Sequence, residues 1–213
     1  MSVVDYALTT RARAKTFLDI SGTADDDLID RLINAVTDFV ERFCDRRFKQ
    51  TDYSNEVYDG NGTNRLFLRQ YPVVSGKTFT LERRDSYYNE DSWSTIDSEH
   101  YFVKEDEGII IYVGGIVSEG AVFVKAPQHY RVTYTAGYNF DNKTPGNTLE
   151  DVGIGDLEVA VWKLIGKLYN NRKLSTDVKS ERLGDYAITL QKEGMIEPEV
   201  MEILLKYKRP YEH

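Results

Sequence analysis

The sequence holds one cysteine, Cys44, in 213 residues. An internal disulfide is therefore impossible, which points to a protein made in a reducing compartment. Cys44 follows Phe43 at the end of a helical pattern. With no histidine beside it to activate the thiol, it reads as a small buried hydrophobe. Long apolar runs are also missing. No segment approaches ~20 apolar residues, and the opening MSVVDYALTTRAR has no apolar signal core. The chain is thus expected neither to span a membrane nor to be secreted by the usual route. Positive charge is in deficit: 27 Lys and Arg face 35 Asp and Glu, for a net charge of -8 and a pI near 5.0. That balance argues against a general DNA-binding protein with a basic face.

Catalytic vocabulary is equally sparse. The three histidines, His100, His129 and His213, are not paired at i,i+3 or i,i+4 and have no cysteine cluster. No zinc site follows, and no cofactor is expected. Gly60-Asn61-Gly62 lacks the Gly-Lys-Ser/Thr of a phosphate loop and the third glycine of a dinucleotide fold, so it reads as a hairpin turn. There is no Gly-X-Ser-X-Gly elbow. Carboxylates are plentiful, but Asp25, Asp26 and Asp27 suit a helix start, and Asp85, Glu90, Asp91 and Asp97 lie in a polar stretch. The expectation is a protein that is not an enzyme.

What is present begins with amphipathic helices. A first helix is expected over Thr10–Leu18, with Thr9 or Thr10 as its cap, followed by the break Ser21-Gly22-Thr23. Thr23 can cap a second helix whose first turn carries Asp25–Asp27, where the helix dipole favours negative charge. Leu28, Ile29, Leu32, Ile33, Val36, Phe39, Val40 and Phe43 then form the stripe of a helix with one buried face. Asp27–Arg31 and Asp38–Arg42 are acid-first i,i+4 pairs on the wet face. From Thr51 to about Gly137 the period changes to that of strands. These are expected at Asn55–Tyr58, Arg65–Arg69, Thr78–Arg83, Tyr101–Lys104, Ile109–Val113 and Tyr130–Thr135. The segment Asp85–His100 reads as a polar and aromatic excursion.

Asn139–Gly155 has loop composition. Asp156 then caps a third helix with acids early and bases late. Its apolar positions, including Trp162, Leu164, Ile165, Leu168 and Tyr169, cover well over half the circumference. Such a helix must be buried on more than one side, against the β subdomain or a neighbouring subunit. Leu174–Gly194 is irregular, with a short strand expected at Tyr186–Leu190. Pro198 opens a last helix, and the chain ends in a basic-aromatic tail with Tyr207, Lys208, Arg209, Pro210 and Tyr211. Aromatic residues beside Arg are typical interface anchors. The expected fold class is α+β, a small helical bundle made from both chain ends with a β-rich subdomain inserted. Its parts are 1–50, 51–138 and 139–213.

The run LTTRARAKTFLDISGTADDDLIDRLINAVTDFVERFCDRRF, Leu8–Phe48, resembles the N-terminal helical hairpin of the head-tail connector (adaptor, or head-completion) proteins of tailed bacteriophages and prophages. The residues that carry the likeness are Leu8, Thr9, Lys15, Leu18, Ile20, Asp26, Asp27, Leu28, Ile29, Leu32, Ile33, Ala35, Glu41, Cys44 and Arg46. LFLRQYPVVS, VTYTAGY, the helix end Lys167–Arg172 and the closing IEPEVMEILLKYKRP continue it over nearly all of the chain. Each motif alone is weak, and their order together is fairly specific. Asp85–His100 departs from compact members.

The resemblance implies a structural virion protein at the head-tail neck, made in the host bacterial cytoplasm. It implies a homo-oligomeric ring, usually a dodecamer, under the portal, with the portal protein and a downstream neck or tail protein as partners. Double-stranded DNA would pass through its channel without sequence-specific binding, and an acidic wall would limit phosphate sticking. On that view Trp162, Ile165 and Tyr169 pack within the bundle and toward a neighbour, and Tyr207–Tyr211 dock on the portal. Two other classes stay open. A stopper or tail terminator would be mostly β-barrel, against the strong terminal helices. A phage wall hydrolase would need carboxylates buried in a cleft.

Overall fold

The computed structural model describes residues 2–88, 92–114, 122–144, 146–174 and 196–209. The chain divides into two compact units, a helical one from Met1–Phe48 with Asn139–Tyr211 and a β-rich one from Lys49–Tyr138. The fold class is α+β, with helices and two antiparallel sheets.

In the helical unit, α1 spans Arg11–Phe17, and the Thr10 hydroxyl caps it by accepting from the Arg13 N–H. Asp19, in the left-handed region at φ 52°, turns the chain away. The second helix, α2, spans Asp26–Cys44. Thr23 contributes its backbone carbonyl, which accepts from the Asp26 N–H at 3.2 Å, while Asp25 holds the cap position. At the other end Asp45 adopts the left-handed conformation and the Arg46 N–H reaches back to the Glu41 carbonyl at 3.1 Å, a Schellman-type closure.

The expected stripe is the buried face: Ile29, Leu32, Ile33, Val36, Phe39 and Val40 are in the core, joined by Cys44. Leu28 and Phe43 sit half-buried at its margins. Hidden in the same face are three polar residues, Asp30, Thr37 and Glu41. Each has a partner, as buried polar groups require: Asp30 pairs with Arg11, the Thr37 hydroxyl accepts from the Leu8 N–H at 3.3 Å, and Glu41 accepts from the Phe48 N–H at 3.2 Å.

Helix α3 spans Gly155–Leu174 and α4 spans Pro198–Tyr207. Leu157, Ala160, Val161, Leu164, Ile165 and Leu168 of α3 are buried, and the helix packs on α2, α4 and α1. Those buried positions are covered by helices of its own unit, while Trp162 is only half-buried. The loop before α3 is pinned rather than loose. The Asp141 carboxylate accepts from the Lys143 and Thr144 N–H groups, both at 2.9 Å. The buried Asn142 side chain donates to the Ala7 carbonyl at 3.2 Å and accepts from the Leu149 N–H at 3.0 Å.

The β unit holds a four-stranded sheet of order β1-β7-β3-β4 and a three-stranded sheet of order β2-β6-β5. The strands are β1 (Thr51–Gly60), β2 (Arg65–Phe67), β3 (Thr80–Arg84), β4 (Trp93–Thr95), β5 (Tyr101–Lys104), β6 (Ile109–Tyr112) and β7 (Ala126–Ala136). All pairings are antiparallel. Tyr58, Leu66, Leu68, Leu81, Ile110, Phe123, Val132 and Tyr134 make its core. Gly60 is required where β1 passes under Val124, because a Cβ there would lie 1.8 Å from the Val124 carbonyl oxygen.

Two strands exceed their expected length, and the Asp85–His100 excursion contains a short strand, β4, that the sequence pattern did not single out. Trp93 pairs with Arg84 across the strands. Its ring lies 4.4 Å from the Arg84 guanidinium and 4.7 Å from that of Arg131. These cation–π contacts hold a three-residue strand whose sequence is otherwise polar. The short strand expected at Tyr186–Leu190 lies outside the described residues.

Candidate functional site

Four residues from the two chain ends meet on the helical unit. Glu158 and Trp162 are one turn apart on α3, and Arg13 and Phe17 are one turn apart on α1, so each pair shares a helix face. The Arg13 guanidinium donates to both Glu158 oxygens, each at 2.7 Å. The Thr9 hydroxyl donates to Glu158 Oε1 at 2.8 Å and accepts from the Trp162 indole N–H, also at 2.8 Å. The Arg13 guanidinium sits 5.5 Å over the Trp162 ring, and Phe17 stacks on the same ring at 5.1 Å. Above this network opens a groove of about 390 Å³, lined by Ala12, Arg13, Thr16, Phe17 and Trp162.

The charges paired with α1 are layered. Asp30 and Glu158 are 0% and 1% exposed, while the Arg11 and Arg13 side chains paired with them are 41% and 30% exposed. Negative charge lies inside and positive charge faces solvent. Arg11 also pairs with Asp26 at 3.0 Å, and Lys15 with the same carboxylate at 2.6 Å. The Lys15 hydrogen bond, helped by Arg11, holds Asp26 below the usual carboxylate range, and the bidentate bond to Glu158 raises Arg13 above its ordinary value. A carboxylate so fully engaged is a positioning group. No cluster of metal-ligating side chains occurs among the described residues.

The residues singled out on α3 separate by depth. Leu164, Ile165 and Leu168 are buried in the helical core. Tyr169 is buried too, and its hydroxyl donates to Asp25 at 2.6 Å. Trp162 is half-buried and reaches the surface.

The chain end behaves similarly. Tyr207 is a core residue: its ring meets Phe48 edge-on at 6.0 Å and its hydroxyl donates to Asp156. The Lys208 ammonium lies 5.4 Å over the Phe43 ring. The Arg209 N–H donates to the Cys44 carbonyl at 2.9 Å, and its side chain pairs with Asp45 at 3.3 Å. The chain is therefore fastened to the end of α2 as far as Arg209. Pro210 and Tyr211 lie outside the described residues.

Thr9, Arg13, Phe17 and Glu158 were not evident as a group in the sequence. Glu158 reads there as a first-turn acid of α3. Its tie to Arg13 spans 145 positions, a separation over which periodicity carries no signal.

The chain is thus a two-unit α+β protein whose helical unit carries a partly apolar groove. The head completion protein family matches residues 7–210, so the chain belongs to that family and is a structural head-completion protein of phage-like particles. In fold it is similar to a chain from the neck of an empty gene transfer agent (GTA) particle. The TM-score is 0.52 at 14% identity, covering 100% of this chain and 96% of that one. It is also similar to a chain from the virion of the native GTA particle, with TM-score 0.51 at 16% identity over 100% of this chain and 95% of that one. At those identities the likeness is one of fold. No curated protein matches the sequence.

Proposed function

We propose that this protein forms a homo-oligomeric ring, a dodecamer, in the neck of a tailed phage-like particle. The ring stands between the portal protein and the next neck or tail protein, and it extends the DNA channel without reading DNA sequence. The observation that carries the reading is the family match, which runs through both units of the chain. The fold shared with a GTA neck chain supports the location, and the groove at Phe17 and Trp162 supplies a surface for self-association. The net charge of -8 suits a wall past which phosphates slide. Assembly takes place after synthesis in the host cytoplasm. The tail Tyr207–Tyr211 docks on the portal.

The test is electron microscopy of particles made without this gene. Tailless heads with packaged but poorly retained DNA, beside complete free tails, are expected. Normal tailed particles with a defect confined to lysis would overturn the reading and favour a wall hydrolase.

A further inference from the structure

The groove on α1 and α3 has a complement on α4. Val200, Leu204 and Tyr207 of α4 face the core. Glu202 and Leu205, three residues apart, share the opposite face, and Leu205 is 54% exposed. Glu197, Glu199 and Glu202 are all exposed on the first half of the helix and its cap. Glu199 is held by Lys163, which leaves Glu202 beside Leu205 as an acid-and-leucine pair turned to solvent.

The groove offers the converse. Its apolar wall includes Phe17, 45% exposed, and Arg13 lines it with its counter-charge Glu158 buried behind it. An apolar cleft edged by an arginine suits an apolar side chain flanked by a carboxylate. The two surfaces lie on different helices of one unit. A copy that fills its neighbour's groove thus still offers its own groove to a third. Such heterologous contacts close into rings when the rotation permits.

We infer that the groove at Phe17 and Trp162 receives α4 of a second copy of this chain, Leu205 seated against the two rings and Glu202 facing Arg13. This contact rests on the ring proposed above, and it names the two surfaces that would join its subunits.

Cysteine cross-linking in assembled particles tests it. Thr16 lines the groove and is exposed, so Thr16→Cys combined with Leu205→Cys places one thiol on each surface. The native Cys44 is silent, because burial pushes its thiol up to about 12. Mild oxidation of particles carrying the double variant is expected to give a ladder of covalent oligomers of this chain, and particles with either single variant only monomer. Rings that assemble without the cross-link would overturn the contact and leave the ring standing. Particles that contain no ring of this chain would overturn both. A cross-link to a different virion protein would assign the groove to that partner and overturn the inference. As a second variant, Leu205→Arg is expected to keep the helical circular dichroism and to lose incorporation into particles. Normal incorporation would count against the contact.

Discussion

Trp162 and Ile165 lie within one turn of α3 and meet different surroundings. Ile165 is completely buried, so removing its branches leaves a cavity that the packed helices cannot fill. Ile165→Ala is expected to cost about 2–5 kcal/mol in chemical denaturation. Phe17 is 45% exposed and its replacement leaves no cavity, so Phe17→Ser is expected to cost about 1 kcal/mol or less. Equal losses in the two variants would contradict this division between core and contact surface. Side-chain depth was the least legible property at this scale. Trp162, Ile165 and Tyr169 look alike as apolar letters, and their positions relative to α1 decide which of them reaches solvent. Glu158 was likewise half legible. Its place in the first turn of a helix is a local fact, and its bond to Arg13 is not.

At the scale of elements, α2 was the most legible. Its apolar residues recur at helical spacing through five turns, and that stripe is the buried face. The strand β4 was the least legible, because three residues in a polar stretch carry no period and Trp93 is held by arginines from two other strands. The last helix was read correctly from its opening proline, while the tail written after it begins later than its letters suggest. Tyr207, Lys208 and Arg209 are bound to the helical unit, and the proposed docking tail continues beyond them to Tyr211. A chain ending at Arg209 is therefore expected to keep full helicity and to lose co-sedimentation with portal rings. Undiminished portal binding by that truncated chain would remove the docking role of Pro210 and Tyr211.

For the whole molecule, an excess of carboxylates makes acid the informative perturbation. In the helical unit, Asp141 is pulled down to about 2, chiefly by the Thr144 and Lys143 N–H groups. Hydrogen bonds from Lys15, Thr148 and Lys163 lower Asp26, Asp151 and Glu199 respectively. Burial raises Asp156, but Lys206 and Tyr207 outweigh it and the net shift is downward. A carboxylate whose folded pKa lies below its unfolded value stabilises the fold above about pH 4, and that contribution fades as pH falls through the folded value. Glu41 acts in the opposite sense, since burial raises it and protonation relieves a buried charge. With five lowered carboxylates against one raised among the described residues, the helical signal at 222 nm is expected to become easier to melt as pH drops from about 4 toward about 2. A melting temperature independent of pH across that window would contradict this account.

The sequence by itself determined the class of fold, the helical nature of both chain ends, the strand-rich middle and the family resemblance. All of these rest on periodicity, turn chemistry and residue order along one chain. Only the tertiary structure decided which apolar residues of α3 are core, which acids lie buried beneath arginines, and how Thr9, Arg13, Phe17, Glu158 and Trp162 come to meet in one cluster. Those outcomes depend on contacts between segments 19 to 153 positions apart. Burial and charge pairing arise where distant segments pack, and no local pattern records where that will be.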